Sequence, residues 1–286
     1  MGFRVLVVSE SPAFYETLEA AFEALAFSLR AATPDFLTLT ADNMVTYLEG
    51  ERINVVINAN TEPSCAEGLQ RLVKLCGEKD LPLIHLSSYR VFGAAQSDLS
   101  ESLSPEPDDA LGEALLTAEK TVLGLEHAIV LRMPWTLTSC SHAPTDEGLL
   151  GRICFALLNN PVLNVSEVAS GALISWPEIA KTIVAMVQQI LCGAENWGVF
   201  HVHTSDNCSE AEFADAVARL LRGEGLCVSE LAITKEPWPC SVERPALLLG
   251  RRCTDNFGVQ QRSFRVGLKG SVQRWITENG YRPAPV

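Results

Sequence analysis

Two hydroxyl side chains end an apolar run and directly precede a polar loop and a helix. Ser87 and Ser88 close the stretch "LIHLSS", which predicts a buried strand over Leu83–Ser88. The following "PDDALGEALLTAEK" predicts a helix over residues 108–123. In an open α/β sheet, ligands bind in the crevice beyond the carboxyl ends of the strands. The sequence therefore predicts an active-site crevice at this strand end.

The helix after these serines has a recognisable spacing. The stretch resembles the dTDP-4-dehydrorhamnose reductase-like, sugar-nucleotide-binding branch of the extended short-chain dehydrogenase/reductases. Laying "PDDALGEALLTAE" on that family's "P-x-x-x-Y-G-x-S-K-x-x-x-E" matches Pro107, Gly112 and Glu119. Leu111 then stands at the tyrosine position and Leu115 at the lysine position. In the reductase mechanism, that tyrosine donates a proton while hydride reaches the carbonyl carbon. The resemblance thus implies an active site in outline without its acid.

The first strand-to-helix turn is where this family carries its dinucleotide motif G-x-x-G-x-x-G. Here the strand Phe3–Val8 is followed by Ser9, Pro12 and Tyr15 at the three glycine positions. Glycines allow the tight turn and the close approach of the backbone to the pyrophosphate. Tyr15 fills that space, Pro12 removes a backbone donor, and the Glu10 carboxylate would repel a diphosphate. The pattern favours a plain turn over a cofactor site.

The second predicted strand, residues 27–32, lacks the acidic residue that would hold the ribose hydroxyls of NAD. The stretch "LTLTADNMV" resembles the family's "L-D-I-T-D-P-x-x-V", with Thr38 at the aspartate position, and Asp35 is displaced from it. Arg30 is a candidate contact for a 2′-phosphate, but a lone arginine on a strand is more often a solvated edge residue. We therefore expect no cofactor, with NADH and NADPH binding weakly or not at all.

Further matches extend the resemblance over almost the whole chain. The stretch "INVVINAN" resembles the family's third strand, and the connection after it is shorter than the family's, with one helix over residues 64–78. "LRMPW" resembles "L-R-T-S-W", which implies that Trp135 lines the sugar side of the cleft, although Trp135 could equally be a packing residue. Arg244 is the candidate anion contact. The candidate substrate groove therefore consists of Ser87, Ser88, Trp135 and Arg244.

Composition indicates a globular protein that does not bind nucleic acid. The net charge is −13 and no cluster of lysines or arginines occurs, whereas nucleic acid binding needs cations that displace counterions. The nine cysteines are scattered and odd in number, which favours reduced thiols over a disulfide framework. Neither a signal peptide nor an uninterrupted apolar span is evident. We expect a soluble, cytoplasmic protein without a membrane segment.

Two histidines raise the question of a metal site. His201 and His203 are two residues apart on a predicted strand over residues 198–204, so they would share a face. A structural or catalytic metal needs at least a third protein ligand, and none is suggested nearby. We therefore predict no metal.

Apolar strands alternate with amphipathic helices, which predicts an α/β fold. Short local motifs predict the helix ends: a cap at Ser11 with Pro12 at the first helical position, a cap at Asp42, a capping box of Ser209 with Glu212, and a terminal glycine at Gly280. The resemblance implies a Rossmann-like, doubly wound and mainly parallel sheet with a smaller C-terminal lobe of the substrate-binding type. The Rossmann-like domain is expected over residues 1–139 plus about 172–204. The second lobe is expected over about 140–171 plus 205–286.

Three interpretations of function stay open. The first is a pseudoenzyme that acts as a binding or regulatory protein, as the regulatory subunit of methionine adenosyltransferase is similar to these reductases. The second is a divergent NAD(P)H-dependent reductase whose acid is Tyr89, the only nearby phenol, although Tyr89 would point away from the Ser88 face. The third is a sensor that retains the sugar-nucleotide groove.

The two leucines also bear on possible partners. Leu111 and Leu115 are one turn apart and could fill a closed cleft or form an apolar patch for a protein partner. The resemblance implies a homodimer formed by helices that flank the strand Leu83–Ser88. Leu116 and the helix over residues 64–78 are then the expected contact elements, and the ligand would be a nucleotide-sugar.

Overall fold

The structure is a computed structural model of the 286-residue chain. It describes residues 2–9, 11–23, 25, 27–32, 35–137, 148–204, 206–235, 247–260 and 262–282. The chain divides into two compact units. The first comprises Met1–Met133, Pro177–Val202 and Leu248–Gln260, and the second comprises Pro134–Trp176, His203–Leu247 and Gln261–Val286. The domain boundaries expected from the family resemblance stay a prediction.

The strands, in chain order, are β1 (Phe3–Val8), β2 (Phe27–Ala31), β3 (Val55–Asn58), β4 (Leu83–Ser88), β5 (Leu99–Ser100), β6 (Ala128–Met133), β7 (Trp135–Thr136), β8 (Val162–Ser166), β9 (Ser170–Ile174), β10 (Gly198–His201), β11 (Asn207–Ser209), β12 (Glu230–Thr234) and β13 (Leu248–Leu249). The α-helices are α1 (Pro12–Phe22), α2 (Ala41–Gly50), α3 (Ala66–Glu78), α4 (Ala110–Val122), α5 (Gly148–Asn159), α6 (Trp176–Leu191), α7 (Glu210–Gly223), α8 (Arg252–Phe257) and α9 (Arg265–Glu278). No helix in the described ranges combines the length and hydrophobicity that a membrane crossing requires.

Six strands form the central sheet of the first unit, in the order β10–β6–β4–β3–β1–β2. Each neighbouring pair is parallel. Continuous apolar runs such as "VLVV" and "VVI" suit strands that are buried on both faces of a parallel sheet. The mainly parallel sheet and its flanking helices confirm the predicted α/β fold class.

The direction of strand addition reverses between β1 and β3. β2 pairs with one side of β1, and β3 pairs with the other. In open α/β sheets, ligands bind beyond the carboxyl ends of the strands at such a reversal. Ser9 follows β1 at this place, and Ala59 follows β3 and donates its backbone N–H to Val8 O at 2.8 Å. This sheet edge is therefore where a cofactor site would be sought.

One apolar cluster joins the sheet to α2, α3 and α4. It includes Leu6, Val56 and Leu83 from three adjacent strands. Burying such a side chain fully contributes about 1.5–3 kcal/mol to stability. Helix α3 packs closely against the backbone at Leu37 through Gly68, where an added Cβ would lie 2.0 Å from Leu37 O. Only glycine permits this approach.

The second unit contains two small sheets and the helices α5, α7 and α9. β11 pairs antiparallel with β9, β7 pairs parallel with β9, and β12 pairs parallel with β8. Helix α7 begins with the predicted capping box: Ser209 Oγ accepts from Glu212 N at 3.1 Å, and Glu212 Oε2 accepts from Ser209 N at 2.8 Å. Gly280 follows α9 with φ of 71°, which confirms the predicted glycine at its end.

Two local predictions are wrong. Helix α2 is capped by Thr40, whose Oγ1 accepts from Asn43 N at 3.4 Å, rather than by Asp42. Asp42 lies in the first turn, where its carboxylate still favours the helix dipole. Strand β10 ends at His201, where its last register pair with β6 joins His201 to Arg132, so His203 is not on the strand.

Candidate active site

The start of α4 is held by the residue before it and by a salt bridge. Asp109 caps the helix, with its Oδ1 accepting from Gly112 N at 2.6 Å. Its Oδ2 accepts from Arg90 Nη2 at 2.7 Å. At Gly112 an added Cβ would lie 2.4 Å from Arg90 O and 2.8 Å from Pro107 Cβ. Pro107 and Gly112, which match the family pattern, thus have a packing role here.

The two leucines at the family's tyrosine and lysine positions have different environments. Leu111 is 40% exposed, whereas Leu115 is 4% exposed. Leu115 is therefore part of the core, and Leu111 reaches the surface. Neither side chain can donate or accept a proton. Ser88, half-buried at the end of β4, uses its Oγ to accept from Arg90 N at 3.3 Å and so caps a short 3₁₀ turn.

Ser87 on β4 and Glu119 on α4 begin a chain of buried polar side chains. Ser87 Oγ donates to Glu119 Oε1 at 2.6 Å. The same carboxylate pairs with Arg132, whose Nε lies 2.9 Å from Oε1 and whose Nη2 lies 2.7 Å from Oε2. The Arg132 and Glu119 side chains are only 3% and 1% exposed. A two-pronged pair of this kind satisfies both charges in a dry interior.

His201 extends the buried polar chain on β10. Arg132 Nη1 lies 3.3 Å from His201 Nε2, and His201 Nδ1 lies 3.0 Å from Leu249 O. Because a carbonyl only accepts, Nδ1 carries the proton and Nε2 accepts from the guanidinium. Burial, together with the Arg132 charge, lowers the pKa of His201 to about 3. Both ring nitrogens are occupied within the protein. We call Ser87, Glu119, Arg132 and His201 the buried polar chain.

A second buried histidine lies one strand away. Asn58 Nδ2 donates to His85 Nδ1 at 2.9 Å, which leaves the proton on Nε2. His85 is fully buried, and this burial lowers its pKa to about 4. Among the described residues, His85 Nε2 has no hydrogen-bond partner. A buried neutral histidine of this kind must be charged as the protein unfolds in acid.

In the β1–α1 turn, between β1 and α1, serine hydroxyls accept hydrogen bonds from backbone N–H groups of the turn and of the first turn of α1. Ser11 caps α1 by accepting from Phe14 N at 3.3 Å, and Ser9 Oγ accepts from Ser11 N at 3.1 Å. Pro12 is the first residue of α1, as predicted. Tyr15 is half-buried and directs its hydroxyl to Glu19 Oε1 at 3.4 Å. Burial and then Glu19 raise the pKa of the Tyr15 phenol. Glu10 lies outside the described residues.

The end of β2 offers a cation that is already paired. Arg30 Nε lies 3.0 Å from Glu51 Oε2, and its Nη1 donates to Ser28 Oγ at 2.8 Å and to Leu29 O at 3.0 Å. Tyr47 donates its hydroxyl to the carbonyl of the last β2 residue at 3.1 Å. Arg30 is therefore bound within the protein at this edge.

The remaining candidates belong to different units or lie outside the described residues. Tyr89 is buried and begins the 3₁₀ turn after β4. Trp135 lies in the second unit, where it is buried against Gly171; an added Cβ there would lie 2.5 Å from the indole ring. Arg244 lies outside the described residues. Of the described substrate-groove candidates, Ser87 and Ser88 belong to the first unit and Trp135 to the second.

Nothing in the sequence pattern indicated that Glu119 pairs with Arg132 or that Arg132 contacts His201. Glu119 had been matched to the family pattern, and Arg132 lies within "LRMPW". An arginine within a buried strand requires a carboxylate, because an unpaired buried charge is strongly unfavourable. That rule predicts a partner without saying which acid it is.

Comparison with known proteins agrees with this fold. A model of the RmlD substrate binding domain matches residues 51–276 and begins after the β1–α1 turn. A dTDP-4-dehydrorhamnose reductase from Sinorhizobium fredii (strain NBRC 101917 / NGR234) is 25% identical over 234 residues, which cover 78% of this chain and 73% of that protein.

Solved structures share the architecture at low sequence identity. A dTDP-4-dehydrorhamnose reductase from Clostridium acetobutylicum ATCC 824 has a TM-score of 0.76 at 17% identity, covering 95% of this chain and 99% of that one. The reductase of Bacillus anthracis str. Ames, solved in complex with NADP, has a TM-score of 0.73 at 13% identity, covering 96% and 99%. These likenesses confirm the Rossmann-like fold. Because the family model matches most of the sequence, the chain belongs to the family of the RmlD substrate binding domain.

Proposed function

We propose that this protein is a non-catalytic relative of the nucleotide-sugar reductases and acts as a binding or regulatory protein. The observation that carries the proposal is on α4. The positions that match the family pattern, Gly112 and Glu119, serve packing and charge pairing. Leu111 and Leu115 stand where the pattern has its tyrosine and lysine. Losing a positioned general acid typically costs a factor of about 10²–10⁴ in rate.

The β1–α1 turn does not fit a dinucleotide. A pyrophosphate at a helix N-terminus binds to free backbone N–H groups. Here the N–H groups of Ser11 and Phe14 are bonded to serine hydroxyls, and Pro12 has none. Tyr15, which stands at the third glycine position, is half-buried and directs its hydroxyl to Glu19 on the next turn of α1. These contacts support the proposal that the protein has no NAD(P) cofactor.

The alternative of a divergent NAD(P)H-dependent reductase requires another acid. Tyr89 is the nearby phenol, and its burial gives it little access to a substrate. The alternative of a sugar-nucleotide sensor requires an open groove near Ser87. Ser87 Oγ is fully buried and donates to Glu119, so it is not available to a ligand. Both observations favour the binding-protein proposal.

Calorimetric titration with NADH and NADPH, followed by an assay for reduction of a nucleotide-linked 4-keto sugar, tests this proposal. We expect no saturable binding below millimolar dinucleotide and no turnover. The variant carrying Leu111→Tyr with Leu115→Lys should also stay inactive, because the β1–α1 turn is unchanged. Micromolar cofactor binding with turnover would contradict the proposal. Loss of that turnover in Tyr89→Phe would then identify the acid.

A protein partner, including a second copy of this chain, is the expected ligand. Helix α3 packs against α4, and Leu111 is exposed on α4 while Leu116 is half-buried. We propose this α3–α4 surface as the contact. We also propose a cytoplasmic location, which the seven described cysteines support because all are free thiols.

Light scattering and affinity capture compare the natural chain with Leu111→Glu plus Leu116→Glu. The matched control is Val266→Glu, an equally drastic change at an exposed valine of α9. A contact at the α3–α4 surface predicts that only the α4 variant loses the dimer or the captured partner. The interaction would be contradicted if the natural chain is a monomer and every protein that it captures is also captured by the α4 variant. That result would favour a sugar-nucleotide sensor.

A further inference from the structure

The second unit contains an open groove of about 560 Å³ between the turn that joins β8 to β9 and the first turns of α7. Its apolar surface includes Val168 and Ile233, which are 47% and 61% exposed. The carboxylates of Glu167, Glu212 and Asp215 also line it. The described residues that form the groove include no lysine, arginine or histidine. The groove thus combines exposed aliphatic groups with negative charge.

Both walls of the groove are fixed by hydrogen bonds. Ser166 Oγ accepts from Val168 N at 3.2 Å and from Ala169 N at 3.0 Å. The buried carboxylate of Glu210 accepts from Ser166 N at 2.8 Å, which ties this turn to α7. The capping box fixes the first turn of α7. A groove that is already ordered loses less conformational entropy when it binds.

The thiol in the groove lining is unreactive. Cys208 lies in its lining, but its side chain is buried, and burial raises the pKa of the thiol to about 12. A thiol with such a pKa is not a nucleophile at neutral pH. The groove is therefore suited to binding rather than to covalent chemistry.

We propose that this groove binds a basic peptide segment of another protein, with lysine or arginine side chains next to an aliphatic one. The groove carboxylates attract the cationic side chains of the peptide, and Val168 and Ile233 pack against its aliphatic side chain. A second copy of this chain is disfavoured as the occupant of this groove, because its sequence contains no cluster of lysines or arginines that could meet these carboxylates. Existing pairs of Glu167 with Lys235 and of Asp215 with Arg219 are partly exposed, so a partner can displace them at little cost. This inference goes beyond the proposed function and does not depend on the absence of catalysis.

Fluorescence anisotropy with a labelled hexapeptide of alternating lysine and valine tests the proposal on the full chain. We expect binding that weakens with salt, and no binding of the peptide with glutamate in place of lysine. Glu167→Gln with Asp215→Asn should weaken binding by about fivefold, from two exposed charge pairs. Val168→Ser with Ile233→Ser should weaken it by about tenfold, from lost apolar burial.

Matched controls use side chains of the second unit outside the groove lining. Glu278→Gln and Val266→Ser alter an exposed acid and an exposed valine on α9. Both controls should bind the lysine peptide as the natural chain does. If groove and control variants weaken peptide binding equally, the binding depends on net charge rather than on the groove, and the proposal is overturned. Absence of binding at millimolar peptide would also overturn it.

A second measurement does not depend on variants. Titration of the isotope-labelled chain with the lysine peptide should shift the backbone amide signals of Val168 and Ile233 while leaving those of α9 in place. Shifts that avoid the groove would overturn the proposal even if the peptide binds.

Discussion

The buried polar chain and the β1–α1 turn both lie towards the carboxyl edge of the central sheet, yet their polar groups have different structural roles. The buried polar chain joins β4, α4, β6 and β10 through side chains far apart in sequence. In the β1–α1 turn, the described hydrogen bonds of the Ser9 and Ser11 hydroxyls are to backbone N–H groups two or three residues away. The first region connects elements, whereas the second completes one helix end.

This difference separates the family positions that serve packing from those that the family pattern assigns to chemistry. Glu119 and Gly112 match the family pattern and hold α4 in place. Leu111, Leu115 and Tyr15 stand at positions where the family pattern has groups that meet substrate or cofactor. The matching positions in α4 are those on which packing depends. Substitutions in the buried polar chain should therefore affect stability much more than substitutions in the turn.

The largest expected effect is at Glu119. Glu119→Gln removes the charge that pairs with Arg132 in an interior where both side chains are almost inaccessible. We expect the free energy of unfolding to fall by about 3–5 kcal/mol in denaturant titrations. Replacing both partners, by Glu119→Leu with Arg132→Met, should cost less than the single change because no charge is left unpaired. A single-variant loss below about 1 kcal/mol would mean that water reaches the pair.

Acid should destabilise the protein through His85 and His201. Their folded-state pKa values are lowered to about 4 and about 3, so the unfolded chain binds more protons below about pH 6.5. Stability from these groups is therefore present at neutral pH and is lost as the pH falls. Between about pH 7.5 and pH 5.5, we expect a loss of about 2.5 kcal/mol for the two groups together. His85→Gln should roughly halve this pH dependence, and an unchanged slope would contradict the assignment.

Gly112 provides a test of close packing at α4. Gly112→Ala places a Cβ against Arg90 O and Pro107 Cβ, and we expect a loss of about 2 kcal/mol in unfolding free energy. Gly267→Ala is the matched control, because that helical position in α9 has no heavy atom within 4 Å of an added Cβ. The control should stabilise the protein by about 0.5–1 kcal/mol. Similar effects at both glycines would show that α4 can shift away from Arg90.

The smallest effect is expected in the β1–α1 turn. Ser11→Ala removes the cap of α1, and we expect a loss of about 1 kcal/mol by thermal or chemical unfolding. Ser11→Gly should cost only a few tenths of that, since glycine is tolerated at this position. A loss as large as that of Glu119→Gln would show that the turn also connects distant elements, and the contrast between the regions would fail.

Short-range patterns in the sequence determined several strands and helix ends. The apolar runs predicted β1 and β4 with their observed bounds. The Ser11 cap, the Ser209 capping box and Gly280 were also predicted, because each depends on residues within one helical turn. The family resemblance added the Rossmann-like, mainly parallel sheet, which no local rule supplies, but not the order of its strands.

Only the tertiary structure decided which distant side chains meet. Arg132 is 13 residues from Glu119 and 69 from His201, and their pairing follows from the neighbouring positions of β6, α4 and β10. It also separated Leu111 from Leu115, which are alike in sequence pattern but differ in exposure. Burial depends on what packs against each face of a helix, and helical spacing alone cannot say how far that packing extends.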